Sequence, residues 1–175
     1  MRVDAIEEDN KFIPPQALKT YTEAERAYLP DVPGYGWTQI LDQLNERVNA
    51  TKSGFKFRVF IKAHGGSVLW LLKHLETSGV SYEAYVKLTA GEKSDSFVVE
   101  EIRRFSAVRM ELPPASELFE ELDCLVLLPK NPKDLLSSVT GWLPSGKPII
   151  AWDPGRFLKD YGGRYFLNSK VWVKL

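Results

Sequence analysis

A three-layer α/β/α domain on a mostly parallel sheet is what this sequence predicts, and three observations predict it. Two apolar runs, "CLVLL" (124–128) and "PIIAW" (148–152), contain no polar break. Such runs need cover on both faces, which marks central parallel strands. Segments of period two alternate with segments of period 3.6 along most of the chain. The switches fall at Gly, Pro or good cap residues. Strands alternating with helices in this way build βαβ units with right-handed crossovers. The expected fold is therefore Rossmann-like or flavodoxin-like, with roughly five or six strands.

In chain order, residues 1–35 differ from the rest. "FIPPQALKTYTEAERAYLPDVPGYG" holds four prolines, which remove donors and disfavour helix in the residue before them. An extended N-terminal arm with at most one short helix near Thr22–Tyr28 is expected, followed by one α/β domain over 36–175. Phe12, Ile13, Leu18, Tyr21, Tyr28 and Leu29 give the arm an apolar side that calls for burial on its own domain or on another chain.

"GWTQILDQLNERVNA" places Trp37, Ile40, Leu41, Leu44 and Val48 on one helical stripe. "FKFRVFIKA" alternates as a strand ending near Ala63. After Ser67, read as the helix cap, Val68, Leu71, Leu72 and Leu75 form a second helix that Gly79 stops. "VSYEAYVKL" sets Tyr82, Ala84, Val86 and Leu88 against Glu83, Tyr85 and Lys87, a half-exposed strand near a sheet edge. A helix over 94–105, a short strand in "AVRMEL" and a short helix in "ASELFEEL" follow. Asn131 caps a helix with Pro132 at its first position. Asp153 and Pro154 repeat that grammar, predicting a short helix in "GRFLKDYGG". "RYFLNSKVWVKL" predicts one or two short strands at the sheet edge.

Composition excludes several functions. Twenty-three basic and twenty-three acidic side chains cancel, so no net charge draws the chain to nucleic acid or to an anionic membrane. One Cys and two His are too few for a structural zinc site. Cys124 reads as a buried strand thiol in a reducing compartment, and no apolar run approaches the ~20 residues of a membrane span. A soluble cytoplasmic protein is expected.

In an open parallel sheet, ligands bind beyond the carboxyl ends of the strands. Four segments reach that edge here: "AHGGS" (63–67), "LTAGEKS" (88–94), "PKNPK" (129–133) and "WDPGR" (152–156). The candidate ligand-binding residues are His64, Gly65, Gly66, Ser67, Lys130, Asn131, Asp153 and Arg156. Three of the loops open helices, whose N-terminal amides favour anions, and Lys130 and Arg156 add positive charge. A phosphate-bearing small molecule fits that chemistry. Each loop also has a purely structural reading. Gly65 and Gly66 permit a sharp turn, Ser67, Ser94, Asn131 and Asp153 serve as caps, and Lys93 is solvated. His74 lies off its helix stripe and reads as a surface residue. Dinucleotide-fold glycines, a P-loop, a nucleophile elbow and HExxH are all missing. His64, Ser67 and Asp153 share one edge and include the residue types of a hydrolytic triad, which only geometry can establish.

"LDCLVLLPKNPKDLLSSVTGWLPSGKPIIAW" resembles the closing half of nucleoside deoxyribosyltransferases and their relatives, through "DCLVLL" and "GKPIIAW". The resemblance implies a nucleotide-handling α/β fold. Those enzymes carry a catalytic glutamate on the intervening helix, whereas this chain has no Glu after Glu121. No catalytic residue carries over.

Three functions follow as expectations. One is a module binding a nucleotide or phosphorylated ligand, as sensor or assembly component. Another is an enzyme of hydrolase or glycosyl-transfer type on the same edge, using His64 and Asp153 as acid and base. The third is an assembly protein, homo-oligomeric or bound to a partner through the arm. Five Trp and seven Tyr suit that role, although buried rings account for them equally. No cofactor is specified by any motif.

Overall fold

The computed structural model describes residues 34–51, 55–89, 96–129, 131–166 and 170–175. Residues 1–33 of the expected arm, and Lys93, Ser94 and Lys130, lie outside them.

Helix α1 (Gly34–Ala50) leads to strand β1 (Phe57–Ala63) and helix α2 (Gly65–Thr77). Strand β2 (Tyr82–Leu88), helix α3 (Ser96–Arg103) and strand β3 (Val108–Arg109) follow. Then come α4 (Ala115–Glu121), β4 (Cys124–Leu127), α5 (Pro132–Trp142), a 3-10 turn (Leu143–Ser145) and β5 (Ile149–Trp152). Two strands end the chain, β6 (Arg164–Tyr165) and β7 (Val171–Lys174).

One seven-stranded sheet has the order β3-β2-β1-β4-β5-β7-β6. The first five strands pair in parallel, from Ala84↔Val108 at one side to Leu125↔Ile149 at the other. The last two pair antiparallel, with Ala151↔Trp172 and Tyr165↔Trp172 among the partners. The sheet is thus mixed, which corrects the mostly parallel sheet of five or six strands. The cause lies after β5. The chain passes through the 155–163 turns to β6, which runs in the direction of β5, and the short connection after β6 then folds β7 back antiparallel between β5 and β6. "VWVK" is accordingly an interior strand, with Trp172 fully buried, and only β6 takes the edge.

The continuous-apolar rule holds at the centre. Leu125 and Ile149 are 0% and 1% exposed. "YEAYVKL" lies one strand from the edge, as expected, yet Tyr85 is buried rather than solvated. Strand alternation sorts the core into two clusters. Val59, Ile61, Ala84, Val86, Cys124 and Val126 pack with residues of α1, α2 and α3, including Trp37, Leu44, Leu71 and Ile102. Phe60, Tyr85, Leu125, Leu127, Ile149 and Trp172 pack with Leu118 of α4 and with Leu135 and Val139 of α5. At about 25 cal/mol per Å² of apolar surface buried, these two clusters supply the main stabilising force.

Two local expectations are corrected. Helix α2 begins at Gly65, with His64 rather than Ser67 at the cap position, and the amide of Val68 donates to the His64 carbonyl at 3.0 Å. The segment 155–163 forms turns instead of a helix. There Asp153 binds amides four and five residues ahead, which closes the chain into a compact loop. Cys124 is fully buried as expected, and burial pushes its thiol up to about 12.

Candidate functional site

The strand order sets where the candidate loops lie. From β1 the chain steps outward to β2 and β3, and then returns to β4 on the other side of β1 and proceeds to β5. The order therefore reverses between β1 and β4, the kind of point beyond whose carboxyl ends open α/β sheets bind ligands. The "AHGGS" turn follows β1 and the "PKNPK" turn follows β4, so both flank that point. Their edges are level, because the amide of Leu128 donates to the Lys62 carbonyl at 2.8 Å.

At the β1 side, Ser67 Oγ and His64 Nε2 lie 2.7 Å apart, a hydrogen bond whose direction follows the imidazole tautomer. Three residues of helical rise bring the third residue's side chain back over the cap. His64 and Gly65 are half-buried, and Gly66 and Ser67 are buried. The first amides of α2 have no carbonyl one turn earlier within the helix to bond.

At the β4 side, Asn131 caps α5, and its Oδ1 accepts from the Lys133 amide at 2.9 Å. Pro132 sits at the start of the helix, so the cap-plus-proline grammar is realised. Asn131 is exposed and its carbonyl oxygen is engaged by the cap.

Asp153, after β5, is 0% exposed. Its Oδ1 accepts from the Phe157 amide at 3.1 Å and its Oδ2 from the Leu158 amide at 2.9 Å. The Tyr165 hydroxyl donates to Oδ2 as well. Burial raises the Tyr165 hydroxyl above its ordinary pKa, and its bond to Asp153 adds to the shift. Arg156, at φ 54°, stacks its guanidinium 5.0 Å from the centre of the Tyr165 ring. Asp153 thus organises its own loop. The structure joins His64 to Ser67 but directs the Asp153 carboxylate to Phe157, Leu158 and Tyr165, so the three do not form a triad.

A contact that sequence reasoning missed lies at the reversal point. Lys62 Nζ, on the last polar position of β1, donates to Asp134 Oδ1 at 2.7 Å and to Ser138 Oγ at 2.8 Å. The lysine side chain is 13% exposed, and the contact pins α5 across the sheet to β1. Asp134 and Ser138 are four apart and so share a helix face. That spacing was a readable signal, but the partner lies 72 residues away. His74 is also less exposed than expected. Its Nε2 bonds Asn45 Oδ1 at 2.9 Å, and burial lowers its pKa, with the Asp42 carboxylate opposing the shift.

Hollows lined by described residues lie beyond both ends of the strands. One, of about 190 Å³, opens between Pro129, Pro132 and Leu135 on one side and the 152–157 loop on the other. It lies at the carboxyl ends of β4 and β5. The larger, of about 430 Å³, lies between the C-terminal turns of α2 and α3, and includes Lys73, Glu76 and Arg104. It sits at the opposite edge of the sheet, and Arg104 there is paired with Glu101 at 3.0 Å. The smaller hollow borders β4, one of the two strands at the reversal, and none of residues 64–67 lines it. Among the described residues, no group of three or more His, Cys, Asp or Glu is placed to hold a metal ion, and no helix is long and apolar enough to cross a membrane. No family model, curated protein or solved structure matches this chain.

Proposed function

We propose that this chain is a small-molecule-binding module with a three-layer Rossmann-like architecture, and that it takes a nucleotide or another phosphorylated ligand at the carboxyl edge. It acts there as a cytoplasmic sensor or as a component of an assembly. The observation that carries the reading is the reversal of strand order between β1 and β4, with α2 opening directly from β1 through Gly65 and Gly66. A phosphate at that helix start meets oriented amides and the positive end of the helix dipole. Gly65 and Gly66 place no Cβ between backbone and ligand.

The test is a thermal-shift screen with ATP, GTP, UDP-glucose and ribose 5-phosphate. A ligand at a hundred times its dissociation constant stabilises by ~2.7 kcal/mol, which is about 5–11 °C for a domain of this size. The shift is expected to vanish in His64→Ala and to weaken in Gly66→Ala. If none of the four compounds moves the transition, or if the shift survives both substitutions, the reading fails.

A second reading rests on the Ser67–His64 pair, which has the contact of a nucleophile with its base. Ester hydrolysis that disappears in Ser67→Ala favours this enzyme reading. An oligomer that dissociates on removal of residues 1–30 favours assembly through the arm.

A further inference from the structure

We propose that the hollow between the β4–α5 turn and the 152–157 loop is a subsite for the planar heteroaromatic ring of a nucleoside. This rests on the reading above of the carboxyl edge as a ligand site, and it assigns the two ends of the ligand to different strands. Four observations support it.

The first is size. The hollow holds about 190 Å³, below the roughly 300 Å³ at which pockets begin to take a whole small molecule. One ring system fits, and the rest of the ligand lies outside.

The second is chemistry. Pro129, Pro132, Leu135, Pro154 and Phe157 present apolar surface to the hollow. The ionisable lining residue among those described is Asp153, whose carboxylate is already engaged by two amides and a hydroxyl. No charge is left over there for a phosphate, so this end suits a neutral ring.

The third is a stacking surface. Phe157 is 47% exposed, a high value for a phenylalanine at the wall of a hollow. Its ring lies against Gly155 so closely that a Cβ there would stand 2.1 Å from Cε2. Glycine at 155 thus lets the ring lie down over the loop, where its outer face is free to stack on a second ring.

The fourth is distance. The hollow lies at β5 and β4, and the α2 helix start lies at β1, two strands away in the order β1-β4-β5. Leu135 belongs to the face covered by α4 and α5 and α2 to the opposite face, so a ligand that joins them passes over the end of the sheet, beyond the about 10 Å of two strand spacings. The ring in the hollow and the phosphate at Gly65–Gly66 are then ends of one ligand laid across the reversal point.

The experiment uses the full chain and phosphate-free probes first. Adenosine and uridine are titrated into isotope-labelled protein while the Leu135 methyl and Gly155 amide signals are followed. Saturable shifts of both signals with at least one nucleoside are expected. The affinity is expected to fall about tenfold in Phe157→Ala and to be kept in Phe157→Trp, about 1.4 kcal/mol by the usual conversion. Calorimetry then compares AMP and UMP with ribose 5-phosphate. The preferred nucleotide should bind at least tenfold more tightly, and Phe157→Ala should erase that advantage while leaving ribose 5-phosphate unchanged. If both nucleosides leave Leu135 and Gly155 unmoved, or if Phe157→Ala changes nothing, the ring subsite is overturned. Shifts of these signals with protein concentration alone would assign the hollow to contacts between copies and also overturn it. Nucleoside binding without any binding of ribose 5-phosphate or ATP would sink the phosphate reading and leave the ring subsite standing.

Discussion

Gly163 and Gly155 offer a paired test of what holds the C-terminal loop against the sheet. A Cβ on Gly163 would stand 2.3, 2.5 and 2.6 Å from three indole atoms of Trp172. A Cβ on Gly155 would stand 2.1 Å from Phe157. By distance alone, alanine at 155 is the worse substitution. Freedom of the neighbour reverses that order. Phe157 is 47% exposed and can turn outward, whereas Trp172 is fully buried on a strand paired on both sides. With contacts wanted at ~3.5–4.0 Å, over an ångström must be found at 163, and the ring cannot supply it. The two-residue β6 must move instead, which loosens the Arg164↔Val173 and Tyr165↔Trp172 pairs and the Tyr165–Asp153 bond. Overpacking of this kind costs about 1–3 kcal/mol, and a lost bond to a charged group about 1.5–3 kcal/mol more. Gly163→Ala is expected to cost about 3 kcal/mol, a fall in Tm of roughly 6–12 °C. Gly155→Ala should cost less than about 1 kcal/mol, within the range of surface substitutions and small strain. Urea and thermal denaturation followed by tryptophan fluorescence measure both. If Gly155→Ala is as damaging as Gly163→Ala, neighbour mobility is not what decides, and the reasoning is wrong.

Asp153→Asn should destabilise by about 3 kcal/mol, because an amide group replaces one of the two oxygens that accept from Phe157, Leu158 and Tyr165. Faster hydrogen exchange over 154–165 would locate the loss, and unchanged exchange there would refute the role. Asn131→Ala should cost about 1 kcal/mol through the lost cap on α5, read as a shift in denaturation midpoint at constant slope. For His74 the native pKa lies below the unfolded value of 6.5, so the unfolded chain binds the extra proton first. Its contribution is then full above pH 6.5 and is lost as pH falls toward the depressed native value. Urea midpoints between pH 8 and pH 5 should show this loss, and His74→Gln should remove that component of the slope.

The parts of the fold that were legible are those encoded by local pattern. Cys124–Leu128 and Ile149–Ala151 are buried runs on both faces, and the Trp37, Ile40, Leu41, Leu44 stripe is the inner face of α1. Direction is not written into a four-residue apolar strand. "VWVK" would look the same in a parallel or antiparallel place, and the connection before it decided. Asp153-Pro154 was ambiguous in a similar way, since a helix cap and a loop clasp begin alike. The difference rests on Tyr165, twelve residues on. At the site, the loops could be placed on the carboxyl edge, but the sequence put His64 and Ser67 only in one turn, and their hydrogen bond came from the geometry. Lys62 with Asp134 could not be foreseen, because only strand order brings β1 beside the helix that follows β4.

The two ends of the sheet have a consequence for contact between copies. Both outermost strands, β3 and β6, pair over only two residues, and each carries an arginine, Arg109 or Arg164. An extended strand from another molecule needs a long row of free amides and carbonyls to add to a sheet, and charge on a short edge works against it. Neither seven-residue strand is outermost: β1 is enclosed between β2 and β4, and β2 lies between β1 and β3. Fibril-like growth by strand addition is thereby disfavoured at both ends, and self-association of this chain is steered toward its helix faces and loops.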